Sequence, residues 1–112
     1  MSDCLFCKII ASDIPSDKVY EDDQVLVFKD INPKAEVHLL MIPKAHVASL
    51  DELTAEHDAV IAHMMRTLPK LAKEQGLADG FRTIINTGKG GGQVVFHLHA
   101  HLLGGNNLPG FE

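Results

Sequence analysis

The stretch HLHAHLL, residues 97–103, places three of the chain's seven histidines at every second position. Because alternate side chains of a β-strand project from the same face, the pattern predicts a strand with His97, His99 and His101 side by side. Neighbouring imidazoles would then stand about 7 Å apart, with apolar residues on the opposite face. A row of this kind is typical of a metal site or a reactive surface, because imidazole is both a ligand and an acid-base group near neutral pH.

The composition indicates a single globular domain over residues 1–112. Hydrophobic residues make up 46% of the chain and charged residues 22%, as in ordinary folded proteins. The formal net charge of −5 argues against a nucleic-acid polymer as partner, since binding a phosphate backbone normally needs a basic face. A single nucleotide is compatible with this charge, because loop amides and helix termini bind phosphate without net positive charge.

Nothing in the sequence predicts a membrane protein. No apolar run approaches the roughly 20 residues of a membrane-spanning helix. The N-terminal stretch MSDCLFCKII lacks the basic segment and long apolar core of a secretory signal. We therefore expect a cytoplasmic location.

Two cysteines, Cys4 and Cys7, form a C-x-x-C pattern. A structural disulfide is not expected in a reducing compartment, and a redox pair normally follows a strand, for which there is no room here. Two thiolates at this spacing can chelate zinc, but a closed site needs two further ligands. The spacing is equally compatible with two small buried residues on a short helix.

The patterns along the chain predict an α+β domain. A short helix is expected in LFCKIIAS, where apolar residues recur at three and four positions. Five strands are expected, in KVYED, QVLVFKD, VHLLMIP, FRTIIN and FHLHAHLL. Their short connections favour antiparallel pairing, with a hairpin turn at Asp22 and Asp23 and a loop at INPKAE, where Pro33 cannot donate to a ladder.

A long helix is expected from Ala55 to Gln75, with Thr54 as its N-cap and Gly76 as its stop. Pro69 falls within it and predicts a kink or break one turn upstream. Just before the long helix, SLDEL has the capping-box pattern from Ser49 to Glu52 and predicts a helical turn. The apolar stripe of the long helix comprises Val60, Ile61, Met64, Met65, Leu68, Leu71 and Ala72.

The glycine-rich run TGKGGGQ directly precedes VVFHLHAH. Glycine lets backbone amides approach an anion closely, so this run is a candidate phosphate cradle beside candidate nucleophiles. At this point the sequence resembles the histidine triad (HIT) family, whose signature is H-x-H-x-H with apolar residues between and after. The resemblance extends over nearly the whole chain, through FCKIIASDIPS, FKDINPKAEVHLLMIPKAHV, RTIINTG and GGQVVFHLHAHLLGG, and is greatest to the HINT branch, the nucleoside phosphoramidate hydrolases.

The resemblance implies a fold and an assembly. It implies a five-stranded antiparallel sheet with one short and one long helix, and a homodimer whose sheets join into one ten-stranded sheet. The long helix and the strand from Phe81 would lie in the interface. The segment from Gly104 to Glu112 has few apolar residues and is too short for another element, so we expect it to lie across the partner's pocket and to influence the leaving group.

The resemblance also implies a reaction. His99 would attack the α-phosphorus of a purine nucleoside phosphoramidate, forming a covalent nucleotidyl-histidine that water then hydrolyses. A carbonyl acceptor at its Nδ1 would fix the tautomer and direct Nε2 toward phosphorus. His101 would contact the phosphate or bridging atom, and His38 would lie beside it and take part in proton delivery. His97 would either bind zinc or support the catalytic pair.

Further positions correspond to nucleotide contacts of the family. Asp30 corresponds to the acid that accepts the ribose hydroxyls, and Asn86 to an amide that contacts phosphate. The phosphate cradle corresponds to Gly92 and the amides after it, at Gln93 and Val94. Val94 departs from the pattern, because many HINT members have a serine there whose hydroxyl touches the phosphate. The apolar walls of the base pocket correspond to Leu5, Phe6, Ile9, Phe28 and Ile31.

Some bacterial members of the family bind structural zinc at positions that are Cys4, Cys7, His46 and His97 here, a Cys₂His₂ set suited to tetrahedral zinc. No cofactor is expected for the reaction itself. Two alternatives remain at this point. The three alternating histidines could form a catalytic tri-histidine metal site, or the domain could bind or sense nucleotide without useful turnover.

Overall fold

The apolar stretches between residues 25 and 43 form the centre of the molecule. In the computed structural model, which describes residues 3–106 and 108, they fold as strands β2 (Val25–Lys29) and β3 (Val37–Pro43), paired antiparallel. Four of the five residues of β2 and six of the seven of β3 are buried. Such near-continuous burial is expected for inner strands that are covered on both faces.

The other elements surround this pair. The sheet has five strands in the order β1-β2-β3-β5-β4, and all neighbours are antiparallel. The fold is therefore α+β, as predicted. The remaining bounds are β1 (Lys18–Glu21), β4 (Arg82–Ile84), β5 (Ala100–Gly104), α1 (Leu5–Ile10) and α2 (Asp58–Glu74).

The two faces of the sheet carry two separate apolar clusters. On one face, Val27, Met41 and Leu102 pack with α2 residues that include Met64 and Leu71. The opposite face packs against α1 through Leu26, Phe28, Leu40 and Ile42, which enclose Phe6 and Ile9. The side-chain period of two thus assigns His38 and His101 to the α1 face, since β3 pairs Leu40 with His101.

The α1 face is where the site forms. α1 has only six residues and covers the β2 and β3 end of that face. The β5 and β4 end carries His101, Leu103, Arg82 and Ile84, which share the same face because Arg82 pairs with Leu103 and Ile84 with His101. This end supplies the floor of the cavity described below.

The start of the long helix differs from the prediction. Residues Ala55–His57 form a 3₁₀ turn, and α2 begins only at Asp58. Thr54 is the N-cap of this 3₁₀ turn, and its side chain accepts from the backbone of the turn, whereas the N-cap of α2 itself is His57. His57 completes the capping box in place of the usual Glu or Gln, because its Nδ1 accepts the Thr54 amide at 2.9 Å.

The break expected at Pro69 was wrong, because α2 continues through Pro69 to Glu74, whereas the alternative of a kink stays a prediction. Pro69 is exposed, so water can satisfy the carbonyl that its missing N–H leaves free. The helical turn expected in SLDEL is confirmed at Leu50–Glu52, but the expected capping box is wrong, because the Ser49 side chain makes no capping hydrogen bond. The expected stop at Gly76 was correct, with φ of 81°.

The predicted stripe of α2 divides into two parts. Met64 is fully buried against the sheet, whereas Met65 is 40% exposed.

Among the described residues, no helix is both long and apolar enough to cross a membrane. Most of the C-terminal segment expected to reach a partner's pocket, at residues 107 and 109–112, lies outside the described residues, and the ten-stranded sheet of a dimer likewise stays a prediction.

Candidate functional site

The three alternating histidines do not form one continuous strand. β5 begins only at Ala100, so His97 and His99 precede it. The ladder between β3 and β5 ends at the pair Met41 and Ala100, because β3 ends at Pro43, which has no amide to donate. The Leu98 amide instead donates to the carbonyl of Val47 at 2.8 Å. The expected even row of imidazoles is therefore wrong, and each ring has a different environment.

His99 is buried and its tautomer is fixed by a main-chain group. Its Nδ1 lies 2.8 Å from the carbonyl oxygen of His97. A carbonyl oxygen can only accept, so Nδ1 carries the ring proton and Nε2 keeps its lone pair. The ring of Phe6 packs edge-on at 5.1 Å between centroids and restrains the imidazole from one side. A neutral imidazole in this state can act as a nucleophile.

His101 and His38 form a hydrogen-bonded pair across β3 and β5. His38 Nε2 lies 2.9 Å from His101 Nδ1 and 3.4 Å from Asp30 Oδ2. Burial lowers the pKa of His38. Burial, together with the neighbouring charges that His99 and His38 can carry, lowers the pKa of His101 to about 4. Both rings are therefore neutral at pH 7, and the pair can pass or donate a proton without holding a permanent charge.

A cavity of about 500 Å³ opens beside His101. It brings together Asp30, His38, Asn86, Val94 and His101, which the sequence analysis singled out separately. Its walls also include residues that the sequence analysis missed: Asn32, Lys34, Arg82, Ile84 and Leu103. The volume is in the range of small-molecule sites.

Arg82 and Lys34 are the missed cations. Arg82 could have been found from the alternation of β4, since it lies two residues from Ile84, which faces His101. Lys34 had no comparable signal, because it lies in an irregular loop. Two cations at one cavity favour an anionic ligand such as a phosphate.

The glycine-rich run folds as a compact loop. It contains a 3₁₀ turn, Lys89–Gly91, and Gly92 has φ of 92°, which favours glycine. The Gly92 amide donates to the Lys89 carbonyl at 3.1 Å and the Gln93 amide to the Gly88 carbonyl at 3.0 Å. These two amides are thus hydrogen-bonded within the loop. To bind phosphate, either these amides would have to turn outward or amides later in the chain would have to donate instead.

Gln93 has a bracing role that the sequence analysis did not foresee. Its side chain is only 4% exposed. Its Oε1 accepts the Gly88 amide at 2.8 Å, and its Nε2 donates to the Ala48 carbonyl at 2.7 Å and the Val95 carbonyl at 3.0 Å. The side chain therefore fixes the loop to the segment after β3. Val94, the next residue, is 86% exposed at the cavity wall.

The five residues expected to wall a base pocket are not all brought together. Phe6, Ile9 and Phe28 are buried in the cluster under α1, with the rings of Phe6 and Phe28 5.6 Å apart. Leu5 is 43% exposed and Ile31 91% exposed. The first three are thus core residues in this structure, and the last two are available at the surface.

Four potential metal ligands converge at the start of α1. The ligand atoms of Cys4, Cys7, His46 and His97 all lie within 4.8 Å of one another. His97 Nδ1 lies 3.3 Å from Cys4 Sγ, 3.6 Å from Cys7 Sγ and 3.1 Å from His46 Nδ1. Edges of this length fit a tetrahedron around zinc, given Zn–S near 2.3 Å and Zn–N near 2.0 Å.

The surroundings of these ligands fit a metal as well. His97 Nε2 donates to the Pro43 carbonyl at 2.8 Å, which leaves its Nδ1 lone pair directed at the cysteines. Burial lowers the pKa of His97, so the ring is neutral, as a ligand must be. Neither cysteine is in a disulfide and both are partly exposed, while Cys4 also packs against the apolar cluster of Phe6 and Ile9, so the interpretation of the cysteines as two small buried residues holds only in part.

The alternative of a tri-histidine metal site was also wrong. His97 directs its Nδ1 toward the cysteines and its Nε2 toward Pro43. His99 uses its Nδ1 on a carbonyl. The three rings therefore have no common point at which a metal could be held.

The chain is similar to known proteins over almost its full length. The family model described as "Scavenger mRNA decapping enzyme C-term binding" matches residues 3–111. The purine nucleoside phosphoramidase of Escherichia coli K12 is 46% identical over 105 residues, covering 93% of this chain and 88% of that protein. Adenylylsulfatase HINT1 of Arabidopsis thaliana is 43% identical over 109 residues, covering 96% of this chain and 74% of that protein.

Solved structures show the same fold. A histidine triad protein from Clostridium difficile superimposes with a TM-score of 0.93 at 48% sequence identity, and the match covers 100% of this chain and 98% of that chain.

Proposed function

This chain belongs to the histidine triad family, in its HINT branch, and from that premise we propose that it hydrolyses purine nucleoside 5′-monophosphoramidates through a covalent nucleotidyl-histidine. It is a nucleotide hydrolase of the HIT type. Phosphoramidates join adenosine or guanosine monophosphate to an amine through a phosphorus–nitrogen bond. Aminoacyl adenylates, which join it to a carboxylate through oxygen, are proposed as related substrates.

The observation that carries the proposal is the hydrogen bond of 2.8 Å from His99 Nδ1 to the His97 carbonyl. It leaves the Nε2 lone pair as the reactive atom of a neutral imidazole. Directly beside His99, at 5.1 Å between ring centroids, lies His101 on the wall of the cavity. A nucleophile and a proton donor adjacent to a ligand-sized cavity are what transfer of a nucleotidyl group needs.

In the first step, His99 Nε2 attacks the α-phosphorus, and the bond from phosphorus to the amine nitrogen breaks. The departing amine takes a proton from the pair formed by His101 and His38. In the second step, water attacks phosphorus and gives a proton back to the pair formed by His101 and His38, the bond to His99 breaks, and the nucleoside monophosphate leaves. Asn86, Lys34 and Arg82 on the cavity wall stabilise the phosphate charge as it develops.

Asp30 is proposed to accept the ribose hydroxyls. It lies on the wall of the cavity, and one carboxylate oxygen accepts the Asn32 amide at 2.8 Å. A carboxylate has four lone-pair positions, so hydrogen bonds to two hydroxyls remain possible. The exposed apolar side chains of Leu5 and Ile31 are proposed to contact the purine base.

We also propose that Cys4, Cys7, His46 and His97 hold a structural zinc. A zinc ion there contributes folding free energy and takes no part in the reaction, because all four positions of a tetrahedral ion are filled by protein ligands. His97, as a ligand, supports the site through its main-chain carbonyl and does not contact substrate. Its side chain is 0% exposed.

Mass spectrometry of the intact protein tests the proposal directly. The protein is mixed briefly with an adenosine 5′-phosphoramidate, quenched in acid-free denaturant and digested. The expected result is an adenylyl group on the peptide that contains residues 97–101, absent in a His99→Ala variant. A nucleotide bound without any covalent adduct or turnover, under conditions that saturate the protein, would instead identify a binding module.

A further inference from the structure

The protonation of His38 is determined by a group outside the histidine cluster. The main-chain nitrogen of Lys34 lies 3.0 Å from His38 Nδ1. An amide N–H can only donate, so Nδ1 must be the unprotonated nitrogen of the ring. A neutral His38 therefore carries its proton on Nε2.

The tautomer of His38 determines the tautomer of His101. His38 Nε2–H faces His101 Nδ1 at 2.9 Å and Asp30 Oδ2 at 3.4 Å. Because His38 is the donor, His101 Nδ1 must accept, and the only polar hydrogen that His101 can offer is on its Nε2. His99, held by the His97 carbonyl, has the opposite tautomer.

The loop between β2 and β3 presents the Lys34 amide in a defined position. Asp30 Oδ1 accepts the Asn32 amide at 2.8 Å, an Asx turn that fixes the start of the loop. The Lys34 ammonium donates to the Asn32 carbonyl at 3.1 Å, and Pro33 between them has a fixed φ. The loop thus directs one amide at one imidazole nitrogen.

We propose that the main-chain amide of Lys34 is a positioning group that orders the protons of His38 and His101. It makes His38 a donor to His101, and thereby makes His101 an Nε2–H donor toward bound nucleotide while His99 stays an acceptor. This inference rests on the proposed function only for its kinetic consequence, because the tautomers themselves exist without substrate.

The tautomers are measured by long-range ¹H–¹⁵N correlation spectra of protein labelled with ¹⁵N-histidine, which distinguish the protonated from the unprotonated ring nitrogen. At pH 7.5 we expect His38 and His101 protonated on Nε2 and His99 on Nδ1. A spectrum with His101 protonated on Nδ1 overturns the proposal. This readout needs no turnover, so it remains decisive if the proposed substrate class is wrong.

A variant that removes only the amide tests causation. Incorporating the α-hydroxy analogue of lysine at position 34 replaces the amide by an ester and leaves the side chain in place. The control, Lys34→Gln, keeps the amide and removes the ammonium. We expect the ester to give His38 a mixture of tautomers and to lower kcat by about tenfold or more with KM nearly unchanged, whereas Lys34→Gln keeps the wild-type tautomers.

Two results would contradict the proposed role of the Lys34 amide. One is an ester variant whose His38 and His101 spectra are those of the wild type. The other is a Lys34→Gln variant that shifts the tautomers as much as the ester does, since the side chain rather than the amide would then be responsible. Absence of phosphoramidate turnover in the wild type would refute the proposed function and leave the tautomer assignment standing.

Discussion

The Nδ1 atom of His99 lies 2.8 Å from the main-chain carbonyl oxygen of His97. The side chain of the same His97 lies among the cysteines, with its Nδ1 3.3 Å from Cys4 Sγ. One residue thus contacts the proposed nucleophile through its backbone and the proposed metal site through its ring. A change at the cysteines can therefore displace the nucleophile without any change at the cavity.

Replacing His99 by Ala is expected to lower hydrolysis of an adenosine phosphoramidate by at least about a thousandfold, because the covalent route loses its nucleophile. Binding of adenosine monophosphate, measured by calorimetry, should stay within about threefold of the wild type, since the cavity walls are unchanged. Turnover close to that of the wild type would show that another group attacks phosphorus.

Zinc analysis of the purified protein is expected to give close to one ion per chain. Cys4→Ser should remove most of the metal and lower Tm by roughly 10 °C, because a bound ion adds directly to the free energy of unfolding. Ser12→Ala serves as the control, since Ser12 lies just past the end of the same helix but outside the ligand set. Metal-free protein whose Tm is insensitive to chelator would refute the site.

The low pKa of His101 predicts how stability depends on pH. Its folded pKa of about 4 lies below the ordinary value of about 6.5, because burial and the neighbours His99, His38 and Lys34 disfavour the charged ring more than Asp30 favours it. The unfolded chain therefore takes up a proton that the folded chain refuses. The contribution of neutral His101 to the free energy of unfolding is therefore complete above about pH 6.5 and is lost as pH falls toward 4.

Urea unfolding of the wild type and of His101→Gln between pH 4 and 7 measures this contribution. The free energy of unfolding of the wild type should fall more steeply with decreasing pH, by about 2 kcal/mol over the range after allowance for partial exposure. Taking the difference between the two proteins at each pH cancels the other titrating groups. Parallel curves would mean that His101 titrates normally.

That His38 lies beside His101 was implied by the resemblance to the histidine triad family. The short apolar runs predicted five strands, and strand alternation predicted which side chains of one strand share a face. The same rule failed for His97 and His99, since the ladder with β3 ends near Pro43, and the chain there follows the Val47 carbonyl instead. That contact depends on tertiary packing and leaves no period in the sequence.

The cavity was predictable only in part. The resemblance to a family gave Asp30 and Asn86, but the Lys34 amide that contacts His38 could not be inferred, because an irregular loop has no periodicity. The bracing role of Gln93 was missed for a related reason. Its partners, the carbonyls of Ala48 and Val95, are backbone groups that no side-chain pattern reveals.

Asp30 offers a matched pair of variants. Asp30→Asn keeps an oxygen that can accept the Asn32 amide but removes the charge, whereas Asp30→Ala removes both. If the carboxylate accepts the ribose hydroxyls, both should weaken binding of adenosine monophosphate by about tenfold, since hydrogen bonds to charged groups contribute about 1.5–3 kcal/mol. Only Asp30→Ala should also lower stability, by about 1 kcal/mol. Unaltered binding by Asp30→Asn would exclude the ribose role.

The exposed edge of the sheet predicts a homodimer. β4 is an outer strand, and an outer strand presents backbone groups that a symmetry mate can pair with. Close to the start of this strand Phe81 is 39% exposed, and on α2 Met65 is 40% exposed, so each offers apolar area that a partner can cover. Met64 is fully buried and belongs to the core, so it is unsuitable for testing the interface.

Met65→Glu is therefore a more specific test of the dimer interface than a substitution of Met64. Placing a charge in an apolar interface costs several kcal/mol when it has no partner, so we expect monomers in sedimentation velocity at concentrations where the wild type is dimeric. The control, Lys70→Glu, adds negative charge at an exposed position of the same helix, about 140° away around its axis, and should stay dimeric. Circular dichroism establishes that both variants are folded. A wild type that sediments as a monomer at every concentration, or a Met65→Glu variant that dimerises as well as Lys70→Glu, would contradict an interface on this face of α2.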